Sequence, residues 1–226
     1  MPTRHTYGAD PAQLAELTLP DGEPRGVAVV VHGGFWKPEY GIEYARPLVP
    51  SLAAEGWAVW AVEYRRGAGA AATLTDVADA IRACPDLPGP RVAIGHSAGA
   101  HLAVWAGGQG VGLTHVVAQA GVLDLRAAHR DGLGGGAVER FLGHPPGPAD
   151  AEVDPLAQVP LDVPVWCIHA VDDVDVPLTQ SRTYVDAARA TGGEASLLEV
   201  EGDHFTLIDP ASQAWASTLT WLRSLR

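Results

Sequence analysis

The sequence predicts an α/β fold in which a mainly parallel, twisted sheet carries helices on both faces. Short runs rich in β-branched and aromatic residues alternate with stretches long enough for helices, which is typical of parallel strands joined by helical crossovers. The central runs are continuously apolar, as expected when both faces of a sheet are covered. The predicted strands are 26–31, 57–62, 91–94, 115–119, 163–168 and 195–200. The predicted helices are 44–55, 71–84, 100–107, 179–191 and 212–225.

Two regions depart from this alternation. Residues 14–19 alternate apolar and polar side chains before the turn residues Pro20-Asp21-Gly22, which predicts an antiparallel entry strand. Residues 124–161 are irregular and rich in glycine and proline. They are interpreted either as a surface loop with one short helix at 136–142 or as a small lid over a pocket. No repeat or interdomain linker is evident, so a single domain over 1–226 is expected.

Net charge, the length of apolar runs and the number of cysteines indicate which binding partners and compartments to expect. The formal net charge of −12 opposes binding to nucleic acid. No apolar run approaches the roughly 18 residues that a membrane span requires, and no signal-like segment is evident, so a cytoplasmic protein without a membrane partner is expected. Two cysteines, Cys84 and Cys167, are too few for a disulfide framework. The sequence makes no prediction of oligomeric state.

Residues 95–99, Gly-His-Ser-Ala-Gly, follow an apolar strand and precede a helix, the context of a nucleophile elbow. In such a turn the serine has a strained backbone, and glycines on either side avoid steric collision. Ser97 is therefore the candidate nucleophile. Because an aliphatic hydroxyl is a weak nucleophile at neutral pH, it needs a base and a group that orients the base.

The candidate base is His204, which lies in the loop after the last predicted strand. The candidate acid is Asp173, in the loop that follows the strand 163–168, where functional loops of open α/β sheets lie. Asp172 is the alternative acid. Asp175 is assigned to the solvated loop or to a helix cap. The chain order Ser, Asp, His is the one associated with a nucleophile elbow.

Residues 32–36, His-Gly-Gly-Phe-Trp, follow the strand 26–31 and are placed to stabilise an oxyanion. The backbone N–H groups of Gly34 and Phe35 are the expected donors, with Gly33 as a further candidate, together with that of Ala98 after the nucleophile. Trp36 is interpreted either as a wall of the substrate pocket or as a core anchor. No His-Glu-x-x-His stretch or Cys/His cluster occurs, so no metal is expected.

With these residues in place, the chain resembles the α/β-hydrolase superfamily over essentially its whole length. Residues 32–36 together with 95–103 are similar to the arylformamidase (kynurenine formamidase) and small carboxylesterase branch, in which the oxyanion motif is His-Gly-Gly-x-Trp. Residues 169–177 are similar to that branch's acid loop, with Ala170 in place of the usual glycine. The resemblance implies an α/β-hydrolase fold and cofactor-free hydrolysis of small esters or of a formyl amide. A non-catalytic binding protein, or a peptidase, thioesterase or lactonase of the same fold, is the alternative.

Overall fold

The computed structural model describes residues 2–225 and contains one eight-stranded sheet in the order β1-β2-β4-β3-β5-β6-β7-β8. Strands β3 to β8 run parallel, whereas β1 pairs with β2, and β2 with β4, in antiparallel fashion. The strands are β1 Thr3–Thr6, β2 Leu14–Thr18, β3 Val27–Val31, β4 Ala58–Val62, β5 Arg91–His96, β6 His115–Gln119, β7 Val165–Ala170 and β8 Ala195–Val200. The predicted α/β fold with a mainly parallel sheet is confirmed.

Helices cover both faces of the sheet. They are α1 Val49–Ala54, α2 Ala70–Arg82, α3 Ala98–Gly107, α4 Leu125–Arg130, α5 Leu133–Leu142, α6 Thr179–Ala190 and α7 Gln213–Ser224. Apolar side chains of α2, α3 and α6 pack with one face of the sheet, and those of α1 and α7 pack with the other. In α2 the buried positions include Leu74, Val77, Ala78 and Ile81, the spacing of a single helical face.

Three elements differ from the sequence expectation. The predicted helix over 44–55 forms two 3-10 turns followed by the short α1, and a proline stands in the first turn of α1. Strand β1 was not predicted, because its Thr-Arg-His-Thr sequence is polar and it lies at the edge of the sheet. Helix α4 was also not predicted. Asp124 caps it by accepting a hydrogen bond from the N–H of Ala127 at 2.8 Å.

The irregular segment 124–161 folds as α4, α5 and two 3-10 turns. Gly134, Gly135 and Gly136 inside α5 have positive φ, so the regular right-handed part of this helix follows them, close to the predicted 136–142. Phe141 of α5 stacks on Trp36, with ring centroids 4.3 Å apart. The segment therefore packs on the loop after β3. Among residues 2–225, no helix has the length and apolar character needed to cross a membrane.

Candidate active site

Ser97 occupies a strained turn between β5 and α3. Its φ of 57° and ψ of −122° lie outside the regions that side-chain-bearing residues usually adopt, a cost of about 1–3 kcal/mol that the surrounding structure must support. The N–H of Ser97 donates to the backbone carbonyl of Gln119 at 2.8 Å, which ties the turn to the end of β6. A Cβ on Gly95 would lie 2.2 Å from the backbone oxygen of Gly99, so the tight turn requires glycine there. This is the geometry predicted for a nucleophile elbow.

His204 and Asp173 are joined directly. Nδ1 of His204 lies 2.6 Å from Oδ2 of Asp173, and the side chain of Asp173 is fully enclosed. Because an ionised carboxylate only accepts hydrogen bonds, Nδ1 of His204 carries a proton, and in the neutral imidazole the lone pair is then on Nε2. Asp172 is exposed and has no such contact, so the structure brings the preferred acid candidate, and not the alternative, to the histidine.

The carboxylate of Asp173 is held from several sides. Its Oδ1 accepts hydrogen bonds from the N–H groups of Asp175 and Val176 at 2.9 and 2.8 Å. Nε2 of the buried His169 lies 3.4 Å from Oδ2. Burial alone would raise the pKa of Asp173, but the hydrogen bonds from His169, His204 and Val176 hold this pKa well below its ordinary value. Asp173 is thus kept as a carboxylate beside the imidazole.

Ser97 and His204 line one cavity of about 140 Å³. Ser97 is 2% exposed and His204 is 4% exposed, so both side chains are shielded from bulk solvent. No hydrogen bond within 3.5 Å joins the Ser97 hydroxyl to Nε2 of His204 among the interactions of residues 2–225. The structure therefore places hydroxyl and imidazole on the same cavity, with the imidazole already oriented by Asp173.

The expected oxyanion donors surround this cavity. Gly34 and Phe35 line it, and both have positive φ, 105° and 50°. Ala98 is the first residue of α3. Within residues 2–225, the N–H groups of these three residues donate to no acceptor, which leaves them free for a ligand. Gly33, the further candidate, packs directly against the nucleophile turn, since a Cβ there would lie 2.7 Å from the carbonyl of His96.

Of the two interpretations of Trp36, the one as a wall of the substrate pocket is corrected by its position, because Trp36 does not line the cavity that contains Ser97. It is 3% exposed and packs against the rings of His101 and Phe141, which also contact each other, so it anchors the loop after β3 to the segment 124–161. Its neighbour Phe35 does line that cavity. The core-anchor interpretation fits the buried position of Trp36 and its ring contacts.

A buried polar network positions the loop that carries Gly34. Nε2 of His32 lies 3.0 Å from Oε1 of Glu63, and its Nδ1 lies 2.9 Å from the carbonyl of Gly33. Oε2 of Glu63 accepts from the N–H of Ile42 at 2.9 Å, and Arg66 also contacts this carboxylate. Burial would raise the pKa of Glu63, yet its hydrogen bonds to His32, Ile42 and Arg66 lower that pKa to about 2. Sequence reasoning missed Glu63, since nothing local links the end of β4 to the end of β3.

His96 is a second neighbour of the candidate site that sequence reasoning passed over. Its Nε2 lies 2.9 Å from the backbone carbonyl of His204, and the two rings are 4.5 Å apart. A carbonyl can only accept, so Nε2 of His96 is the protonated nitrogen. Burial, with a smaller contribution from the nearby His204, lowers the pKa of His96 to about 3. His96 is therefore a neutral side chain that fastens the loop of His204 to the nucleophile turn.

Comparison with known proteins places the chain in a family. The model of the prolyl oligopeptidase family (Peptidase_S9) matches residues 72–222, a stretch that includes Ser97, Asp173 and His204. The chain belongs to the prolyl oligopeptidase family. This membership places it within the α/β-hydrolase superfamily that the sequence resembles. No curated protein matched the sequence. The match does not identify the arylformamidase branch.

Solved structures show the same fold. A truncated carbohydrate esterase from gut microbiota is 20% identical, with a TM-score of 0.83 over 98% of this chain and 95% of its own. A thermophilic esterase of Thermogutta terrifontis is 22% identical, with a TM-score of 0.79 over 98% and 90%. An acetyl ester-xyloside bifunctional hydrolase from Caldicellulosiruptor lactoaceticus is 21% identical, with a TM-score of 0.78 over 96% and 90%. These similarities establish the α/β-hydrolase fold.

Proposed function

We propose that the protein is a serine hydrolase that cleaves small carboxylic esters or aryl formamides through an acyl-enzyme. The observation that carries this proposal is the 2.6 Å contact between His204 and Asp173, on a cavity that also contains Ser97. An imidazole whose Nδ1–H is held by a buried carboxylate presents Nε2 as a base. Hydrogen bonds of catalytic groups are often long without substrate and tighten when it binds, which is consistent with the unformed Ser97–His204 bond.

In the first step, Oγ of Ser97 attacks the carbonyl carbon while Nε2 of His204 takes the hydroxyl proton. The carbonyl oxygen becomes an oxyanion held by the N–H groups of Gly34, Phe35 and Ala98. The bond to the leaving group then breaks, and His204 gives its proton to the departing oxygen or nitrogen. Asp173 stabilises the imidazolium that forms between these events.

In the second step, water attacks the acyl-enzyme and loses a proton to Nε2 of His204. The same N–H groups hold the second oxyanion, and collapse of this intermediate returns the proton to Oγ of Ser97. The products are a carboxylic acid and the free enzyme. The small, mainly apolar cavity favours a small-molecule substrate over a polypeptide chain.

A fluorophosphonate probe tests the nucleophile. We expect a single covalent adduct on Ser97, located by peptide mass mapping, and loss of both labelling and 4-nitrophenyl acetate hydrolysis in Ser97→Ala. A solved Thermogutta terrifontis esterase of this fold was phosphonylated by sarin, which supports the choice of a phosphorus probe. Labelling of a different residue, or unchanged hydrolysis by Ser97→Ala, contradicts the proposal. A non-catalytic binding protein would give neither labelling nor turnover.

Steady-state kinetics distinguish the candidate substrate classes. The kcat/KM values for N-formylkynurenine, acetyl and butyryl esters, and a prolyl peptide 4-nitroanilide are measured side by side. A large preference for the formyl amide assigns arylformamidase activity, and activity on short esters alone assigns a carboxylesterase. Cleavage of the peptide substrate in preference to the others would instead favour a peptidase, in keeping with the family name.

A further inference from the structure

The exposed aromatic side chains are gathered at one cavity. Within residues 2–225 they are Tyr40, Tyr44 and Phe205, which are 36%, 39% and 55% exposed, and all three line the cavity that contains Ser97. The other Phe, Tyr and Trp side chains in this part of the chain are buried or half-buried. Exposed apolar residues scattered singly are normal, whereas exposed rings gathered at one cavity indicate a surface that binds a ligand. We call these three residues the aromatic rim.

Phe205 of the aromatic rim lies beside the candidate base. Its ring centroid is 5.3 Å from that of His204, with the ring planes at 86°, and 6.2 Å from the ring of His96. The leaving atom of a substrate takes its proton from Nε2 of His204, so this atom comes within about 3 Å of that nitrogen. Aromatic pairs interact at centroid separations of about 4.5–7 Å, so a ring bonded close to the leaving atom is within reach of Phe205.

Tyr40 and Tyr44 form the part of the rim next to the oxyanion loop. Their ring centroids are 5.5 Å apart. A Cβ added to Gly34 would lie 2.3 Å from Cβ and 2.5 Å from Cγ of Tyr40, so the side chain of Tyr40 packs directly on Gly34. The candidate base and an expected oxyanion donor are thus each bordered by an exposed aromatic ring.

The cavity is too small to enclose an entire ester whose leaving group carries a ring. Its volume is about 140 Å³, and its buried lining includes the apolar side chains of Val30, Ala45, Leu48 and Ile94. An engineered apolar cavity of about 150 Å³ in another protein binds benzene, so a group of roughly six non-hydrogen atoms fits here. A short acyl group fits within that volume, and a leaving group with a ring extends to the aromatic rim.

We propose that Phe205 is a specificity-determining residue for the leaving group, and that it favours esters of alcohols that carry an aromatic ring. This inference rests on the proposed function, because it concerns the group that departs when Ser97 is acylated. An aromatic ring that meets Phe205 edge-to-face or offset gains more than the burial of its apolar area. A saturated ring of the same size gains the burial alone. Phe205 therefore discriminates between leaving groups by the type of ring and not only by size.

The test compares benzyl acetate with cyclohexylmethyl acetate, which share the acyl group and the carbon skeleton of the leaving group. Each kcat/KM is divided by the rate constant for hydrolysis of that ester by hydroxide, which removes the difference in intrinsic reactivity. We expect the corrected value to be about three- to tenfold higher for benzyl acetate. In Phe205→Leu this preference should fall to near one, and Phe205→Tyr, which keeps the ring, should retain it.

Val174→Ala is the control variant. It also shortens an exposed apolar side chain, in the loop of Asp173, but Val174 is not among the residues that line the cavity, so the preference should stay at the wild-type value. The preference is a ratio of two esters measured in the same variant. A displaced His204 would slow both esters alike and leave this ratio unchanged, so the ratio reports the contact with Phe205.

A wild-type preference near one, or one for cyclohexylmethyl acetate, overturns the inference. A preference that Phe205→Leu retains overturns it as well. Should Phe205→Leu not fold, Phe205→Met, which is also apolar and has no ring, gives the same comparison. Hydrolysis of both esters without a preference contradicts this inference alone, whereas hydrolysis of neither ester, together with no labelling of Ser97, contradicts the proposed function too.

Discussion

Nε2 of His96 donates a hydrogen bond to the backbone carbonyl of His204 across 2.9 Å, although 108 residues separate them in the chain. The residue before the nucleophile thus holds the loop that carries the base. The contact ties together two of the three segments that a Ser-His-Asp mechanism must align, and it depends on a histidine that stays neutral in the folded protein.

This neutral histidine predicts a pH dependence of stability. The pKa of His96 is lowered to about 3 in the folded protein, whereas the unfolded chain takes up the proton below about 6.5. A lowered folded-state pKa means that stability is lost as pH falls below 6.5. Between pH 7 and pH 5, His96 lowers the free energy of unfolding by roughly 2 kcal/mol. In His96→Gln, the free energy of unfolding should therefore fall by about that much less between the two pH values than in the wild type.

The measurement is urea unfolding of both proteins at pH 7 and pH 5. His144→Gln is the control for replacing a histidine by glutamine at an exposed position. An equal pH difference in wild type and His96→Gln would show that His96 is not held neutral.

Substitution of each carboxylate in turn distinguishes the role of Asp173 from that of its neighbour Asp172. Asp173→Asn should reduce kcat on a short 4-nitrophenyl ester by about 10⁴-fold, because the amide no longer holds the required imidazole tautomer. Asp172→Asn, an exposed change one residue away, should leave kcat within about twofold. Steady-state kinetics on both variants, with circular dichroism to establish folding, provide the measurement. Equal losses in the two variants would argue against Asp173 as the partner of His204.

Glu63 should be essential for the stability of the loop after β3. Glu63→Ala removes the acceptor of His32, Ile42 and Arg66, so we expect a loss of about 3–5 kcal/mol in the free energy of unfolding at pH 7. Because the pKa of Glu63 is lowered to about 2, its contribution is complete above roughly pH 4.5 and declines as pH falls towards 2.

Denaturant titrations at pH 7 and at pH 3 measure this effect. The control is Glu39→Ala, since Glu39 is exposed. If Glu63→Ala loses no more stability than the control, the hydrogen bonds of Glu63 do not stabilise the loop after β3, and the prediction is wrong.

Gly99→Ala should prevent close packing of α3 against β3. A Cβ at this position would lie 2.2 Å from the backbone oxygen of Val31 and 2.4 Å from that of His32, and backbone atoms cannot move aside as a side chain can. We expect a destabilisation of more than about 2 kcal/mol, measured by thermal unfolding. Gly108→Ala, at the other end of α3, meets the flexible side chains of Gln158 and Leu161 at 3.1 and 3.3 Å and the backbone oxygen of Trp105 at an ordinary contact distance of 3.5 Å, so it should be well tolerated.

The features predicted correctly from the sequence are those that depend on residues close together in the chain. The apolar run before Ser97, the glycines around it and the loop positions of Asp173 and His204 follow from strand and turn chemistry, and the sheet order brings the loops to one edge. Local pattern carries no information on pairing across the chain. The contacts between His96 and His204, and between His32 and Glu63, were therefore missed.

Other departures have a similar cause. Strand β1 is polar because it lies at the edge of the sheet, so hydrophobic periodicity could not reveal it. Trp36 was open to two interpretations because the direction of its side chain depends on positive φ values at a non-glycine pair, Phe35 and Trp36, which sequence does not disclose.

The stacking of Trp36 on Phe141 limits which segments of this fold can be exchanged with those of other proteins. A chimera in which residues 124–161 are replaced by the corresponding segment of another hydrolase would lack Phe141, the stacking partner of Trp36. The loss of this contact would disturb the adjacent turn that contains Gly34 and Phe35. Grafted insertions should therefore succeed only when residue 36 and its aromatic counterpart are transferred as a pair.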